Sequence, residues 1–518
     1  MKNFNLYIIV IIVLSIILGY TIGINKHFIL NNIGIRSDNL SKFNRLIEYL
    51  KEDYFSKINT DSLVGKSIDE IITKLDPHSV YIPKEKFQII SERLEGNFVG
   101  IGISFMMIRD TLTVVSVLEG GPSKKAGILV GDRILVANND TLFNKNYSSE
   151  EIALKLKGRS QTILNIEVYR RSSQRLHYKL LRAKVPIRSV ISYQIKRDVG
   201  YIKVERFAKN TYDEIKKVLL KNKSDGISKL ILDLRNNPGG YLFTAEKILD
   251  EFLDSKKIIV ITESNNGKRD TVFASNDGIF LDQKIFVLVN RQSASASEVV
   301  AGAIQDNDRG IIVGRRTFGK GLVQQQFPLG GGDIIRLTTA RYFTPTGRSI
   351  QRKYTSGNQL YFDEIDNRLN SEKIFRNEDF SIDDSIEFRT PKGKIVYGGG
   401  GIIPDVYVPR SENFNEQNFN ENVINNFTFS FFDKYRDKLI VQNPKIFIKN
   451  PINDQEFVMK KFKDFCIENS IQMDLKKDKI LNKIKAYLAL YLYNKKAFFM
   501  ILNKDDAVIN KTLKMIEN

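Results

Sequence analysis

The stretch KLILDLRNNPGG, Lys229 to Gly240, carries an apolar run into a loop with two adjacent glycines, and YLFTAEKILDEFLD, Tyr241 to Asp254, follows with helical spacing. An apolar run without polar alternation reads as a strand buried on both faces, and a helix directly after it makes the βα half of a βαβ unit. Outward from this stretch, GYIKVERF (Gly200–Phe207) reads as a strand, TYDEIKKVLLKN (Thr211–Asn222) as a helix and KIFVLVN (Lys284–Asn290) as another buried strand. The alternation predicts a largely parallel sheet covered by helices. In such sheets, sites collect at the carboxyl ends of the strands. Both NNPGG and QSASASE, Gln292 to Glu298, stand there.

The chain has 518 residues, enough for about three or four domains. Its three histidines, His27, His78 and His177, are scattered, and Cys466 is its one cysteine. Neither a zinc cluster nor an internal disulfide framework can be assembled from them, so no metal and no cofactor are expected. The formal charge of +19 is spread along the chain and reads mainly as lysine-rich solvated surface, with an anionic membrane face or a polyanion as the second reading. No nucleic-acid-binding signature accompanies it.

No charge occurs between Asn3 and Asn25, and Leu6–Ile24 supplies about 19 apolar-rich residues, roughly the thickness of a bilayer core. Residues 1–25 are therefore expected to be a membrane anchor with Lys2 on the cytoplasmic side. No small-residue cleavage site stands clearly after the run, which favours an uncleaved anchor over a removed signal peptide. Either way the remainder lies outside the cytoplasm, in the periplasm of a two-membrane bacterium.

Residues 26–95 are expected to be mostly helical, with Leu46, Ile47, Leu50 and Tyr54 at helix spacing before a Pro-punctuated turn, LDPHSVYIPKEKF. His78 in that turn is a candidate base, with a structural role as the commoner alternative. From Gly96 the texture changes to short strands, a small β domain over 96–184. The glycines of GNFVGIGISF could aim the N–H groups of Gly100, Ile101 and Gly102 at a carboxylate, or could be ordinary turn glycines.

The serines of NRQSASASEVVAGAIQDN, Ser293, Ser295 and Ser297, precede a helix-compatible run from about Ala296 to Ile304. Free N–H groups there favour a developing negative charge, yet a serine at such a place is more commonly a helix cap. Gly239 and Gly240 offer bare backbone for a second set of oxyanion donors. For Lys320, between Gly319 and Gly321 and ahead of a strand-like segment, to act as a base its pKa must fall from ~10.4 to near 7 through burial. The alternative is a solvated loop lysine.

GGPSKKAGILVGDRIL resembles the PDZ domains of bacterial proteases. SASASEVVAGAIQDNDRGIIVGRRTFGKGLVQ, DLRNNPGG, YFTPTGRSIQ and GGGGIIPDVYVP resemble the carboxyl-terminal processing peptidases, also called tail-specific proteases. These are Ser/Lys serine peptidases with an embedded PDZ domain, and the resemblance spans about Leu75 to Pro409. It implies Ser295 as nucleophile, because the family's interval to Lys320 selects the middle serine. It also implies Gln324 as the group orienting Lys320, a structural role for Asp306, and Gly239, Gly240 and Ala296 as backbone oxyanion donors. Ser293, Ser297 and Glu298 are then left as local polar groups.

The implied architecture is multidomain α/β: membrane helix, helical segment, PDZ domain, a ClpP/crotonase-like peptidase core over 185–411 with a charged insertion at 351–392, and a helical C-terminal region over 412–518. The apolar face within Ile480–Leu502 is expected to pack on the core or on a second subunit, which leaves a homo-oligomer open. The implied substrates are proteins or peptides with free C-termini. A catalytically silent PDZ scaffold and an acyl-CoA enzyme on a related core are the competing classes.

Overall fold

The computed structural model describes residues 38–108, 110–170, 174–275, 278–354, 359–364, 387–409, 421–439, 444–449, 452, 454–471 and 477–518. The expected anchor and most of the expected insertion lie outside these residues. Among the described residues no helix is long and apolar enough to cross a membrane. The chain divides after Lys74 into two compact units. The first contains α1 (Asp38–Glu52) and α2 (Thr60–Thr73), the latter capped by Asn59, whose side chain accepts the Ser62 N–H at 3.0 Å.

The second unit opens with β1 (Val80–Ile82) and α3 (Lys84–Glu95). The region expected to be helical to residue 95 thus contains a strand. At three residues β1 is too short to show a period of its own, and it exists by pairing with a strand some 250 residues later.

The small β domain, expected to be a PDZ domain, is entered through β2 (Asn97–Gly100) and left through β9 (Ala183–Pro186), which pair antiparallel, so both connections share one ribbon. Between them lie β3 (Ile103–Ile108), β4 (Thr111–Val117), the short α4 (Pro122–Lys125), β5 (Arg133–Ala137), β6 (Asp140–Thr141), α5 (Ser149–Leu156), β7 (Ile163–Arg170) and β8 (Gln174–Leu181). The sheet order is β3-β4-β5-β7-β8, with β6 paired to β5. β3 is therefore an edge strand. Leu112, Val114, Ile134, Leu164 and Val168 bury one face against Ile152 and Leu156 of α5.

The core that follows contains β10 (Val190–Lys196), β11 (Val199–Val204), α6 (Thr211–Ser224), β12 (Lys229–Asp233), α7 (Leu242–Asp250), β13 (Ile258–Ser264), β14 (Arg269–Phe273) and β15 (Lys284–Val289). Then come α8 (Ala296–Asp306), β16 (Ile311–Gly314), β17 (Leu322–Gly330), β18 (Asp333–Phe343), the hairpin β19 (Glu387–Arg389) and β20 (Ile395–Tyr397), and β21 (Val406–Tyr407). One sheet runs β10-β11-β12-β15-β16-β21, parallel except for β10 on β11. Its residues alternate between two cores. Leu230, Leu232, Ile285 and Val287 face α6, α7 and α8, while Ile231, Phe286 and Leu288 face the opposite side. A second sheet, β1-β18-β13-β14 with β17 on β18, lies beside the loops at the strand ends.

The C-terminal region is helical as expected: α9 (Glu421–Leu439), α10 (Pro444–Lys449), α11 (Gln455–Glu468), α12 (Lys477–Leu492), α13 (Lys495–Leu502) and α14 (Ala507–Glu517). The run Ile480–Leu502 is two helices, broken at Tyr493–Asn494, where Asn494 caps α13 through the Ala497 N–H at 3.0 Å.

Candidate active site

The loop after β12 is built on Asp233, a buried carboxylate at the strand end. It accepts the Tyr201 hydroxyl at 2.8 Å and the Arg235 backbone N–H, Nε and Nη2 at 2.9, 3.0 and 2.7 Å. Burial alone would raise its pKa, but Arg235 and Lys203 overcome this and hold it well below the usual carboxylate range. Arg235 also bonds both oxygens of Asp506, the N-cap of α14, at 2.9 and 2.8 Å. Within the loop the Asn237 side chain donates to Val204 O and accepts the Gly239 N–H at 2.9 Å. Of the three expected oxyanion donors, Gly239 is therefore already engaged, and Gly240 and Ala296 are the other two. Gly239 is nonetheless central in another way. A Cβ there would stand 2.9 Å from Ser295 Cβ and 2.8 Å from Ala294 O, so only glycine permits this approach to the serine turn.

The serine turn is stitched to that loop. Asn290, after β15, accepts the Asn236 N–H at 3.0 Å and donates to its side chain at 2.6 Å. Ser293 Oγ donates to Leu234 O and Ser297 Oγ to Asn237 O, both at 2.9 Å, and both serines are fully buried. Their hydroxyls are structural, as expected. Ser295 is only partly buried and has φ 56° and ψ −118°, a strained backbone for a non-glycine residue that costs of order 1–3 kcal/mol.

Glu298 supplies the constraint that sequence reading missed. It is fully buried at the third position of α8, and Oε2 accepts the backbone N–H of both Ser295 and Lys320 at 2.9 Å. Oε1 accepts Thr317 Oγ1 at 2.6 Å and the Gly319 N–H at 2.7 Å. Burial pushes this carboxyl above the usual range, against the pull of its four donors. Tyr342 on β18 adds a second tie, donating to Lys320 O at 2.5 Å and Ser295 O at 3.1 Å. The S-x-x-E spacing of Ser295 and Glu298 was a sequence signal for the first tie. No local signal pointed to Tyr342.

Lys320 sits just ahead of β17, and its Nζ donates to Gln324 Oε1 at 2.6 Å. The Gln324 amide donates in turn to His78 O at 2.6 Å, which fixes the oxygen toward the amine. Burial brings the Lys320 pKa down from 10.5 to about 8, helped by the Arg336 guanidinium and opposed by Asp76 and Glu298. His78 therefore does join the site, by its backbone carbonyl. Its Nε2 is paired with the Tyr361 hydroxyl at 2.8 Å, and burial, with Lys320 and Arg352 nearby, lowers its pKa to about 3. Asp76 fixes the turn by accepting the His78 and Ser79 N–H groups, both at 2.8 Å. Asp306 is structural: it forms a buried ion pair with Arg348 at 2.7 Å and accepts Thr346 Oγ1 at 2.7 Å.

In the small β domain, Gly100 ends β2, and Ile101 and Gly102 lie between β2 and the edge strand β3. Ile101 O accepts the Ser123 N–H and Gly102 O the Leu118 N–H, both at 2.9 Å, which fixes the orientation of the loop. Gly102 has φ +78°, and a Cβ there would meet Gly121 Cα at 3.0 Å.

Residues 198–358 match the model of Peptidase family S41, and residues 99–179 match that of the PDZ domain. Over these residues the chain is similar to peptidase family S41 and to PDZ domains. A probable CtpA-like serine protease of Staphylococcus aureus (strain MRSA252) is 36% identical over 318 residues, which cover 61% of this chain and 63% of that protein. A probable CtpA-like serine protease of Staphylococcus epidermidis is 33% identical over 318 residues, 61% of this chain and 64% of that protein. The chain thus spans less than two thirds of the length of these relatives. Among solved structures, a photosystem II D1 C-terminal processing protease aligns at 27% identity over 60% of this chain and 83% of that one, with a TM-score of 0.35. The resemblance read from the motifs agrees with both matches.

Proposed function

We propose that this chain is an S41-type serine endopeptidase whose PDZ domain takes up free C-termini of protein or peptide substrates and whose core cleaves them through an acyl-enzyme. Residues 1–25 anchor it to a membrane, with the folded part outside the cytoplasm. The observation that carries the reading is a single oxygen: Glu298 Oε2 binds the backbone N–H groups of Ser295 and Lys320 together, while Gln324 holds Lys320 Nζ at 2.6 Å. A silent scaffold needs no such constraint.

In the proposed reaction the neutral Lys320 amine takes the Ser295 hydroxyl proton as Oγ attacks the scissile carbonyl carbon. The oxyanion is met by the N–H groups of Gly240 and Ala296. Collapse breaks the C–N bond, and Lys320 returns the proton to the departing amine. Water then attacks the ester with Lys320 accepting its proton, and collapse breaks the C–Oγ bond as Lys320 passes that proton to Ser295 Oγ, which releases the acid and restores both residues. The edge strand β3 suits an extended tail, with the Gly100–Gly102 loop at its start to receive the carboxylate.

The test is cleavage of unfolded casein by serine variants. Ser295→Ala should abolish it, while Ser293→Ala and Ser297→Ala, which lose only structural bonds, should retain part. Near-normal turnover by Ser295→Ala would sink the assignment.

A further inference from the structure

Arg336 lies in the middle of β18, in register with Val80 of β1 and Gln326 of β17. Its Nη2 is buried and meets no hydrogen-bond acceptor among the described residues. A guanidinium stays protonated at any working pH, so it cannot relieve its burial by titrating and is stabilised only by an anion or carbonyl acceptor. The same register puts Gln324, whose side chain holds Lys320 Nζ, opposite Thr338, two residues from Arg336, and the Arg336 guanidinium helps to lower the Lys320 pKa. Arg336 and Gln324 therefore share one face of the β17–β18 ribbon, the face that carries the Lys320 amine. Asp76 and Glu298 favour the Lys320 cation, but neither is bonded to Arg336 Nη2, which leaves the guanidinium as the open place in the cleft. A ligand carboxylate would complete it.

Resting on the peptidase reading above, we infer that Arg336 is a substrate-binding residue that takes a carboxylate of the bound peptide, so that the cleft selects an acidic group next to the bond it cuts. The carboxylate has two possible sources, an Asp or Glu side chain flanking the cut or the free C-terminus of a short tail. The chemistry is the same for both: paired N–H donors facing carboxylate oxygens.

The experiment begins with one casein-derived peptide cut by the full chain. Two series are made from it, one exchanging Glu for Gln at each position within three residues of the cut, the other comparing free and amidated ends. We expect one member to be preferred as the acid over its amide by roughly tenfold to hundredfold in kcat/KM, the range for a charge-assisted hydrogen bond. That ratio should fall to near one in Arg336→Gln and be partly restored in Arg336→Lys. The series in which it collapses identifies the source. Loss of the cation should also move the Lys320-dependent rise in rate to higher pH, which a purely structural defect would not do. Binding of the same peptides to the Ser295→Ala protein reports carboxylate capture without turnover. If the wild type cleaves nothing yet Glu is still bound over Gln, the peptidase reading fails and Arg336 keeps its role. A preference that survives Arg336→Gln in both series, or no preference in either, overturns the proposal. Thermal melting of each variant separates misfolding from lost recognition.

Discussion

Replacing Glu298 by Gln tests how this carboxylate sets the turn of Lys320, the proposed base, beside Ser295, the proposed nucleophile. The side chain keeps its shape and loses one acceptor oxygen. If the new NH2 faces Ser295 and Lys320, two backbone N–H groups meet a donor. If it faces Thr317 and Gly319, the hydroxyl can turn to accept it and only the Gly319 N–H is stranded. The second orientation is favoured. Its stability loss is that of one unsatisfied buried N–H, about 1–3 kcal/mol, partly offset because a charge no longer has to be buried. With folded proteins stable by roughly 5–15 kcal/mol, the variant should fold.

Activity should suffer more. Gly319 immediately precedes Lys320, and a misplacement of about 1 Å can lower a rate on the order of a hundredfold. The electrostatic sign is distinctive. Glu298 raises the Lys320 pKa, so neutralising it should move the midpoint of the pH–rate profile below about 8. The assay is kcat/KM on a fluorogenic peptide from pH 6 to 10 beside a thermal melt. A near-wild-type rate with an unmoved midpoint would refute the argument that the Glu298 carboxylate fixes the Gly319–Lys320 turn and acts on the Lys320 charge.

Wild-type kcat/KM should rise with pH through about 8 as Lys320 loses its proton, and Lys320→Arg should be inactive across the range. Because the folded pKa lies below the ordinary 10.5, the folded protein binds this proton less tightly than the unfolded chain. The resulting destabilisation is full below pH 8 and vanishes as pH rises to 10.5. At ~1.4 kcal/mol per pH unit, Lys320→Met should therefore gain up to about 3 kcal/mol in denaturant unfolding at pH 7, and an unchanged midpoint of unfolding would count against the buried amine. Asp506→Asn weakens both bonds to Arg235 and the cap of α14, and should lower stability by about 1–2 kcal/mol and kcat more than KM; kcat equal to wild type would show that the loop does not depend on this contact. If Gly100–Gly102 receive a terminal carboxylate, amidated tails should bind the Ser295→Ala protein about tenfold to a hundredfold more weakly than free ones, and equal affinities would exclude carboxylate capture.

The parallel sheet was legible because KLILD and KIFVLV are buried on both faces and so carry unbroken apolar runs bounded by loops. The serine cluster and Lys320 were legible as candidates, but the residues alone did not choose among three serines. The structure separates them by burial: the hydroxyls of Ser293 and Ser297 are bonded to carbonyls of a loop that begins some sixty residues earlier. Glu298 was read as a first-turn acid suited to the helix dipole. That reading placed it correctly on α8 and missed the donors 19, 21 and 22 residues on, because such pairings exist only after the chain returns. His78 shows the same limit, since its ring drew notice while its carbonyl, 246 residues from Gln324, makes the contact.

The C-terminal helices were legible as helices, but their role was not, and the two faces of the parallel sheet supply it. On one face, α6, α7 and α8 bury Leu230, Leu232 and Val287. On the other, Ile231, Phe286 and Leu288 are covered by Val508, Ile509 and Ile516 of α14, with Phe499 and Met500 of α13 packed alongside. A parallel sheet must be covered on both faces, so residues beyond 412 complete the α/β core, although the family match ends at 358. Ile108, Val115 and Val130 of the PDZ domain pack against the core of α9, α11 and α12, and Arg133 pairs with Asp433 of α9 at 2.8 Å. One helical region therefore covers the sheet, fixes the glycine loop through Asp506 and braces the PDZ domain. A substitution there should disturb peptide capture and cleavage together, whereas one confined to the Gly100–Gly102 loop should disturb capture alone.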